Sequence, residues 1–230
     1  MRLATGRARP ILLSQMDPTT ELLLARHGNT FGPGDRVVWV GAQQDLALVD
    51  RGREQAAELA RSLVGTRPVG AIYCASLART REHAAIVAET LELPEPVVDD
   101  RLGELDYGSW SGLTNEEIRE RFGSAELEEW RQRGRWPASA GFGSSEAVVR
   151  GEAAAFVADL RARHTGERVL AITSNGRLRY FLDLVEGALD ARRRERAFSV
   201  ATGHVGKLML TPSEIRVAAW NVTPTPEVFA

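Results

Sequence analysis

Short apolar runs alternate with longer amphipathic ones along most of the chain. Leu22 to Ala25 make one continuous apolar run, the pattern of a strand buried on both faces of a parallel sheet. In "DRGREQAAELARSLVG", Ala56, Leu59, Ala60, Leu63 and Val64 fall on one helical stripe, with Asp50 as a cap before it and Gly65 after it. "VGAIYCAS" reads as a second short strand, and "LARTREHAAIVAETLEL" as a helix that Pro94 ends. Further on, Val149, Ala153, Phe156 and Leu160 share one face of a long helix, "RVLAITS" is a strand, and "GRLRYFLDLVEGAL" is the helix after it. "GKLMLTP" and "EIRVAAW" look like a closing hairpin of edge strands. Alternating strands and helices at this spacing predict an α/β fold, a three-layer α/β/α sandwich around a mostly parallel central sheet.

The rhythm breaks in the middle third. "GSWSGLTNEEIRERFGSAELEEWRQRGRWPASAGFGSS" has two short helical patterns, glycine punctuation and Trp110, Trp130 and Trp136. It reads as a small helical insertion, about residues 108–146, lying over the sheet. Residues 20–230 are expected to form one domain, and 1–19 a mobile extension whose apolar piece "ILL" is too short for a signal segment.

Composition narrows the function classes more than it names one. The formal net charge of −2 gives no overall field for nucleic acid or anionic lipid, so any anion site must be local. Lys207 is the only lysine; arginine supplies the remaining positive charge. The single cysteine, Cys74, excludes an internal disulfide and cysteine-rich zinc spacing, and fits a reducing cytoplasmic setting. It closes a strand, where a buried, inert thiol is the simpler reading. "ARRRERA" is read as the solvated end of a helix.

Candidate chemistry gathers at strand ends. In open α/β sheets, ligands bind beyond the carboxyl ends of the strands. Here the first strand ends in Arg26 and His27, the second leads into Ala75 to Arg79, and "VLAI" leads into Ser174 and Asn175. A lone histidine after a strand is most often an ordinary hydrogen-bonded residue. An adjacent arginine, a second arginine at a neighbouring strand end, and Gly28 allowing close backbone approach favour an anion site instead. Guanidinium forks bind phosphate oxygens bidentately and stay charged. A neutral imidazole beside them is disfavoured from protonating, and so is available as a nucleophile.

These segments resemble a known family. "LLLARHGNT" is similar to the RHG signature of the histidine phosphatase superfamily, the phosphoglycerate mutase-like proteins. "DLALVDRGREQA" matches its D-x-x-L-x-x-x-G-x-x-Q-A segment through Asp45, Leu48, Gly52, Gln55 and Ala56. "IYCASLARTREHA" resembles the S-P-L-x-R segment, with Arg79 at the arginine position, and "RLGELDYGSWSGLT" the L-x-E-x-x-x-G-x-x-x-G segment, with Glu104 at the acidic position. The resemblance spans most of residues 21–221 and implies a phosphoglycerate mutase-like sheet. It implies covalent phosphoryl transfer: His27 attacks phosphorus, Arg26 and Arg79 hold the oxygens, and Glu104 serves as general acid and base. No metal or cofactor is expected, since arginines supply the positive charge.

The departures bear on activity. Where the family carries a second histidine in an S-H-G segment, this chain reads "TSNG", with Asn175 at that position. An amide donates a hydrogen bond to a phosphoryl oxygen but brings no charge. Asn175, the backbone amides at the start of the following helix, and charge lent by Arg177 or His204 are the compensations available. The family's G-E-S segment is replaced by "AGFGSSEA", Asn29 stands at a usually acidic position, the asparagine common a few residues after RHG is missing near Pro33, and His83 stands where threonine is common. His83 is read as a helical residue packed under the sheet. The leading expectation is a phosphomonoesterase of modest activity acting on a small phosphorylated metabolite, with substrate choice set by the insertion. A phosphoglycerate mutase-type transfer and a catalytically weakened phospho-ligand-binding regulator are the alternatives. Neither a nucleic acid nor a membrane partner is expected, and the chain is expected to be a monomer or homodimer.

Overall fold

The computed structural model describes residues 18–230. The expectation of a mobile extension over 1–19 falls almost wholly outside the described residues. The sheet has six strands in the order β3-β2-β4-β1-β5-β6. These are β1 (Thr20–Arg26), β2 (Val69–Cys74), β3 (Val97–Val98), β4 (Arg168–Thr173), β5 (Val205–Leu210) and β6 (Ile215–Val222). β3, β2, β4 and β1 run parallel, and β5 returns antiparallel to β1. This is the mostly parallel α/β sheet that the alternating pattern predicts. One detail differs: β5 is paired on both sides, to β1 and β6, so only β6 of the hairpin is an edge. The strict apolar run Leu208–Leu210 suits that interior place.

The period of two along β1 divides the core. Leu22 and Leu24 face one cluster with Phe156, Leu160 and Phe181; Leu23 and Ala25 face the other with Leu59, Ala60 and Val87. Helices α1 (Asp50–Leu63) and α2 (Ala78–Thr90) cover the second face, and α5 (Glu146–Arg163) with α6 (Asn175–Leu182) the first. The two central strands, β1 and β4, are therefore buried on both sides, which is why their sequences are continuously apolar, while the short edge strand β3 is exposed.

Helix ends correct several expectations. Asp50 is the first helical residue of α1 and not its cap; Val49 precedes it without a side-chain cap bond. Val64 lies beyond the helix and is exposed, so the stripe ends at Leu63. α2 stops at Thr90, four residues before Pro94, because Glu92 adopts a positive φ. The helix expected over "GRLRYFLDLVEGAL" breaks into α6 and α7 (Ala188–Arg194). Asp183 pairs with Arg150 on α5 at the break, and Gly187 in the left-handed region starts α7.

Residues 108–146 carry α3 (Asn115–Phe122) and α4 (Ala125–Arg133). α3 has a capping box between Thr114 and Glu117, as "TNEE" allows. The tryptophans pack edge to face: Trp130 lies 5.4 Å from Phe142 and 5.9 Å from Trp136, and Trp110 lies 5.6 Å from Trp39. A short C-terminal helix, α8 (Pro226–Phe229), packs Phe229 into the face formed with α1. Among the described residues no helix is long and apolar enough to cross a membrane.

Candidate active site

The carboxyl ends of β1, β2 and β4 open into a cleft of about 490 Å³. Arg26, His27, Arg79, Glu104 and Asn175 all line it. Five residues from four separate segments thus meet at the place where the sheet topology puts its ligand crevice.

His27 sits just past β1, where its backbone N–H donates to the Thr173 carbonyl at the end of β4 (3.0 Å). Its ring is only 6% exposed, yet it borders the cleft. Nδ1 lies 2.8 Å from the Gly28 carbonyl, an acceptor only, so Nδ1 carries the hydrogen and Nε2 keeps its lone pair. Burial above all, then the charges of Arg26 and Arg79, hold the imidazole well below the ordinary histidine pKa; the Gly28 carbonyl opposes them. The ring is neutral at physiological pH.

The loop after His27 depends on two glycines. A Cβ on Gly28 would overlap the Gly52 carbonyl, and one on Gly52 would overlap the Asn29 carbonyl. The first turn of α1 therefore presses directly on the RHG backbone. Gln55, also on α1, accepts from the Asn29 N–H (2.9 Å) and donates to the Thr202 carbonyl (2.9 Å). Thr202 in turn donates its hydroxyl to Asn29 Oδ1. From the other side, His83 Nδ1 accepts the Gly28 N–H at 3.1 Å. His83 is fully buried, and burial pushes its pKa down to about 3, so it is a permanent acceptor. Its placement under the sheet agrees with the sequence reading, while its bond to Gly28 adds a brace that helical periodicity does not reveal.

Arg79 is buried and Arg26 partly buried, and neither has a carboxylate in salt-bridge contact among the described residues. Arg79, 2% exposed in the first turn of α2, donates to the Gln44 and Gly41 carbonyls, both at 2.9 Å. Arg26 donates to the Val200 carbonyl at 2.8 Å, and its Nε has no partner among the described residues. Burial lowers the pKa of both guanidinium groups, with the Glu104 charge nearby opposing that shift. Asp45 contributes from outside the cleft: its carboxylate accepts the Ala78 N–H, capping α2 and so fixing where Arg79 begins.

Glu104 stands on the cleft wall, its Oε1 accepting the Leu105 N–H at 2.8 Å. Tyr107 is beside it; burial first, then the Glu104 charge, hold the phenol neutral, well above its ordinary pKa. Gly176, in the first turn of α6, packs against both, and a Cβ there would overlap Glu104 and Tyr107. Asn175 opens α6 after Ser174 and borders the cleft. Its Oδ1 accepts the Val200 N–H (2.9 Å), which turns the amide NH₂ to the other side.

Arg177 and His204 do not supply charge here. Arg177 is turned away, donating to the Gly103 carbonyl (2.7 Å) and to Glu152 (2.6 Å). His204 lies within reach of Asn221 Oδ1 at 3.2 Å and is absent from the cleft wall. The added charge comes instead from Arg131 on α4, with Trp39 and Tyr107 supplying aromatic walls. None of these three stood out in the sequence: Trp39 sits in a long irregular loop, and Arg131 is one of many arginines on a charged helix. Cys74 ends β2, 1% exposed, with its thiol pushed up to about 11 by burial, which makes it the inert residue expected.

An α/β/α sheet with an arginine-lined cleft and a neutral histidine at its carboxyl edge defines a protein class built to receive a phosphate-like anion. The chain belongs to the histidine phosphatase superfamily (branch 1), whose family model matches residues 22–223. Phosphoserine phosphatase 1 of Hydrogenobacter thermophilus is 32% identical over 159 residues, covering 66% of this chain and 70% of that protein. A 2,3-bisphosphoglycerate-dependent phosphoglycerate mutase of a Methylobacterium species (strain 4-46) is 28% identical over 168 residues, covering 72% and 80%. The solved structure of a mycobacterial glucosyl-3-phosphoglycerate phosphatase in complex with VO3 superposes with a TM-score of 0.74 at 26% identity, covering 88% of this chain and 99% of that one. The relatives thus include both phosphatases and mutases.

Proposed function

We propose that the protein is a phosphomonoesterase working through a phosphohistidine on His27. The observation that carries this reading is a neutral imidazole with Nε2 unprotonated, in one cleft with Arg26 and Arg79, neither of which has a carboxylate in salt-bridge contact among the described residues. In the first step the Nε2 lone pair forms the bond to phosphorus as the ester P–O bond breaks, and Glu104 gives its proton to the departing alkoxide. In the second, water attacks phosphorus as the P–N bond breaks and its electron pair returns to Nε2, Glu104 takes a proton from that water, and inorganic phosphate leaves. Arg26 and Arg79 hold the oxygens on which negative charge concentrates, the Asn175 amide adds a neutral donor, and positioning with charge neutralisation does the rest. A small phosphorylated metabolite is the substrate, bounded by the α3–α4 segment.

The purified protein is expected to hydrolyse an aryl phosphate, with His27→Ala reducing the rate by at least about 10⁴-fold. Equal rates in the two proteins would leave a phosphate-binding protein without this chemistry. Release of inorganic phosphate in step with the alcohol separates hydrolysis from a mutase, which returns the phosphoryl group to a second hydroxyl.

A further inference from the structure

Beside the cleft lies a second cavity of about 330 Å³ that shares Trp39, Tyr107, Arg131 and Asn175 with it. Arg179, four residues after Asn175 on α6, lines this second cavity. It is 3% exposed, and its Nε and Nη1 are buried without a hydrogen-bond partner among the described residues. Its guanidinium carbon lies 3.9 Å from the ring centroid of Trp130 and 4.9 Å from that of Phe198. Arg177, two residues earlier on the same helix, is as buried but is bonded to Glu152 and the Gly103 carbonyl.

A charge taken out of water without a counter-ion is costly, and contact with aromatic rings offsets only part of that cost. A fold that satisfies Arg177 and leaves Arg179 without a hydrogen-bond partner beside a cavity has room for an anion there. With rings packed against the guanidinium and Nε and Nη1 sealed from solvent, the Nη2 amino group is what remains for a ligand, and a carboxylate oxygen can accept from it.

We propose that Arg179, assisted by Arg131, forms a second anion subsite that binds a carboxylate carried by the phosphomonoester. The proposal rests on the reading of the His27 cleft as the phosphate site. It places substrate choice in the slot between α4 and α6, where the carboxylate and the phosphoryl group are held by separate pairs of arginines.

3-Phosphoglycerate and sn-glycerol 3-phosphate differ in a carboxylate against a hydroxymethyl group, and their dissociation constants are measured by calorimetry on the His27→Ala chain, where turnover does not intrude. The carboxylate compound is expected to bind at least about tenfold more tightly, as a charge-assisted pair implies. Adding Arg179→Met should bring the two constants to within about twofold of each other. Equal binding before that substitution, or an undiminished preference after it, overturns the subsite. Should Arg179→Met not fold, Arg131→Gln serves, since the Arg131 side chain is 43% exposed; it should narrow the preference by at least about threefold, and no change counts against the proposal. Aryl phosphate hydrolysis by the wild type is read separately: its absence defeats the phosphatase reading, whereas equal binding defeats the subsite while hydrolysis stands.

Discussion

At the amino end of the sheet, Arg168 of β4 is 1% exposed and fully engaged. It forms a fork with Glu21 of β1 (3.0 and 3.2 Å) and donates to Thr66 and to the carbonyls of Arg67 and Phe229. Lys207 adds a second cation to Glu21 at 3.2 Å. At the carboxyl end, Arg26 and Arg79 are held by backbone carbonyls, with no carboxylate in salt-bridge contact among the described residues. The same side chain, buried in Arg168 and Arg79 and partly buried in Arg26, is paired with a carboxylate at one end and left without one at the other. A closed network ties β1, β4 and the C-terminal residues together; guanidinium groups bonded only to carbonyls keep their charge uncompensated and attract an anion.

The contrast breaks if the two ends respond alike to substitution. Glu21→Ala strands Arg168 without its carboxylate, and we expect chemical denaturation to show a loss of about 3–5 kcal/mol, with turnover per folded molecule unchanged. Arg26→Met should do the reverse. Removal of a partly buried cation without a counter-ion leaves stability within about 1 kcal/mol of wild type, while kcat/KM for an aryl phosphate falls by about 10²- to 10³-fold. A stability loss at Arg26 as large as that at Glu21 would mean both arginines are structural.

Acid sharpens the comparison, because the open end also buries two neutral imidazoles, His27 and His83. Both have folded-state pKa values below the unfolded value of about 6.5, so as pH falls through that value the unfolded chain binds protons that the folded chain refuses. Stability should therefore decline below about pH 6.5, each histidine adding about 1.4 kcal/mol per pH unit to the slope while its folded form stays neutral. For His83 that window extends down to about 3. Urea titrations from pH 7 to pH 5 on wild type and His83→Gln test this; identical slopes would show that His83 does not contribute.

Much of this organisation is legible in the sequence, for local reasons. The strand Leu22–Arg26 is continuous and apolar because both its faces are covered, and the change to Arg26-His27-Gly28 marks where the sheet meets its cleft. Asp45, Gly52 and Gln55 stand out as a spaced segment, and each supports the site from outside it: a cap on α2, a close backbone contact, a brace on the loop. What the sequence does not disclose is non-local. The acceptors for Arg79 and Arg26 are main-chain carbonyls of Gly41, Gln44 and Val200, which any residue type supplies. Arg177 and Arg179 look equivalent in "GRLRY", yet one is neutralised by α5 and the other is left beside a cavity. The break between α6 and α7 likewise depends on Arg150, 33 residues away in sequence from Asp183.

The claim that His27 Nε2 bonds to phosphorus is tested most directly by trapping it. Wild-type protein is mixed with excess aryl phosphate, quenched in alkali, where a phosphohistidine survives, and mapped by peptide mass spectrometry. A phosphoryl group is expected on the peptide containing His27, acid-labile and absent from the His27→Ala chain. Steady turnover with no adduct at early times, or with the label on another residue, would contradict it.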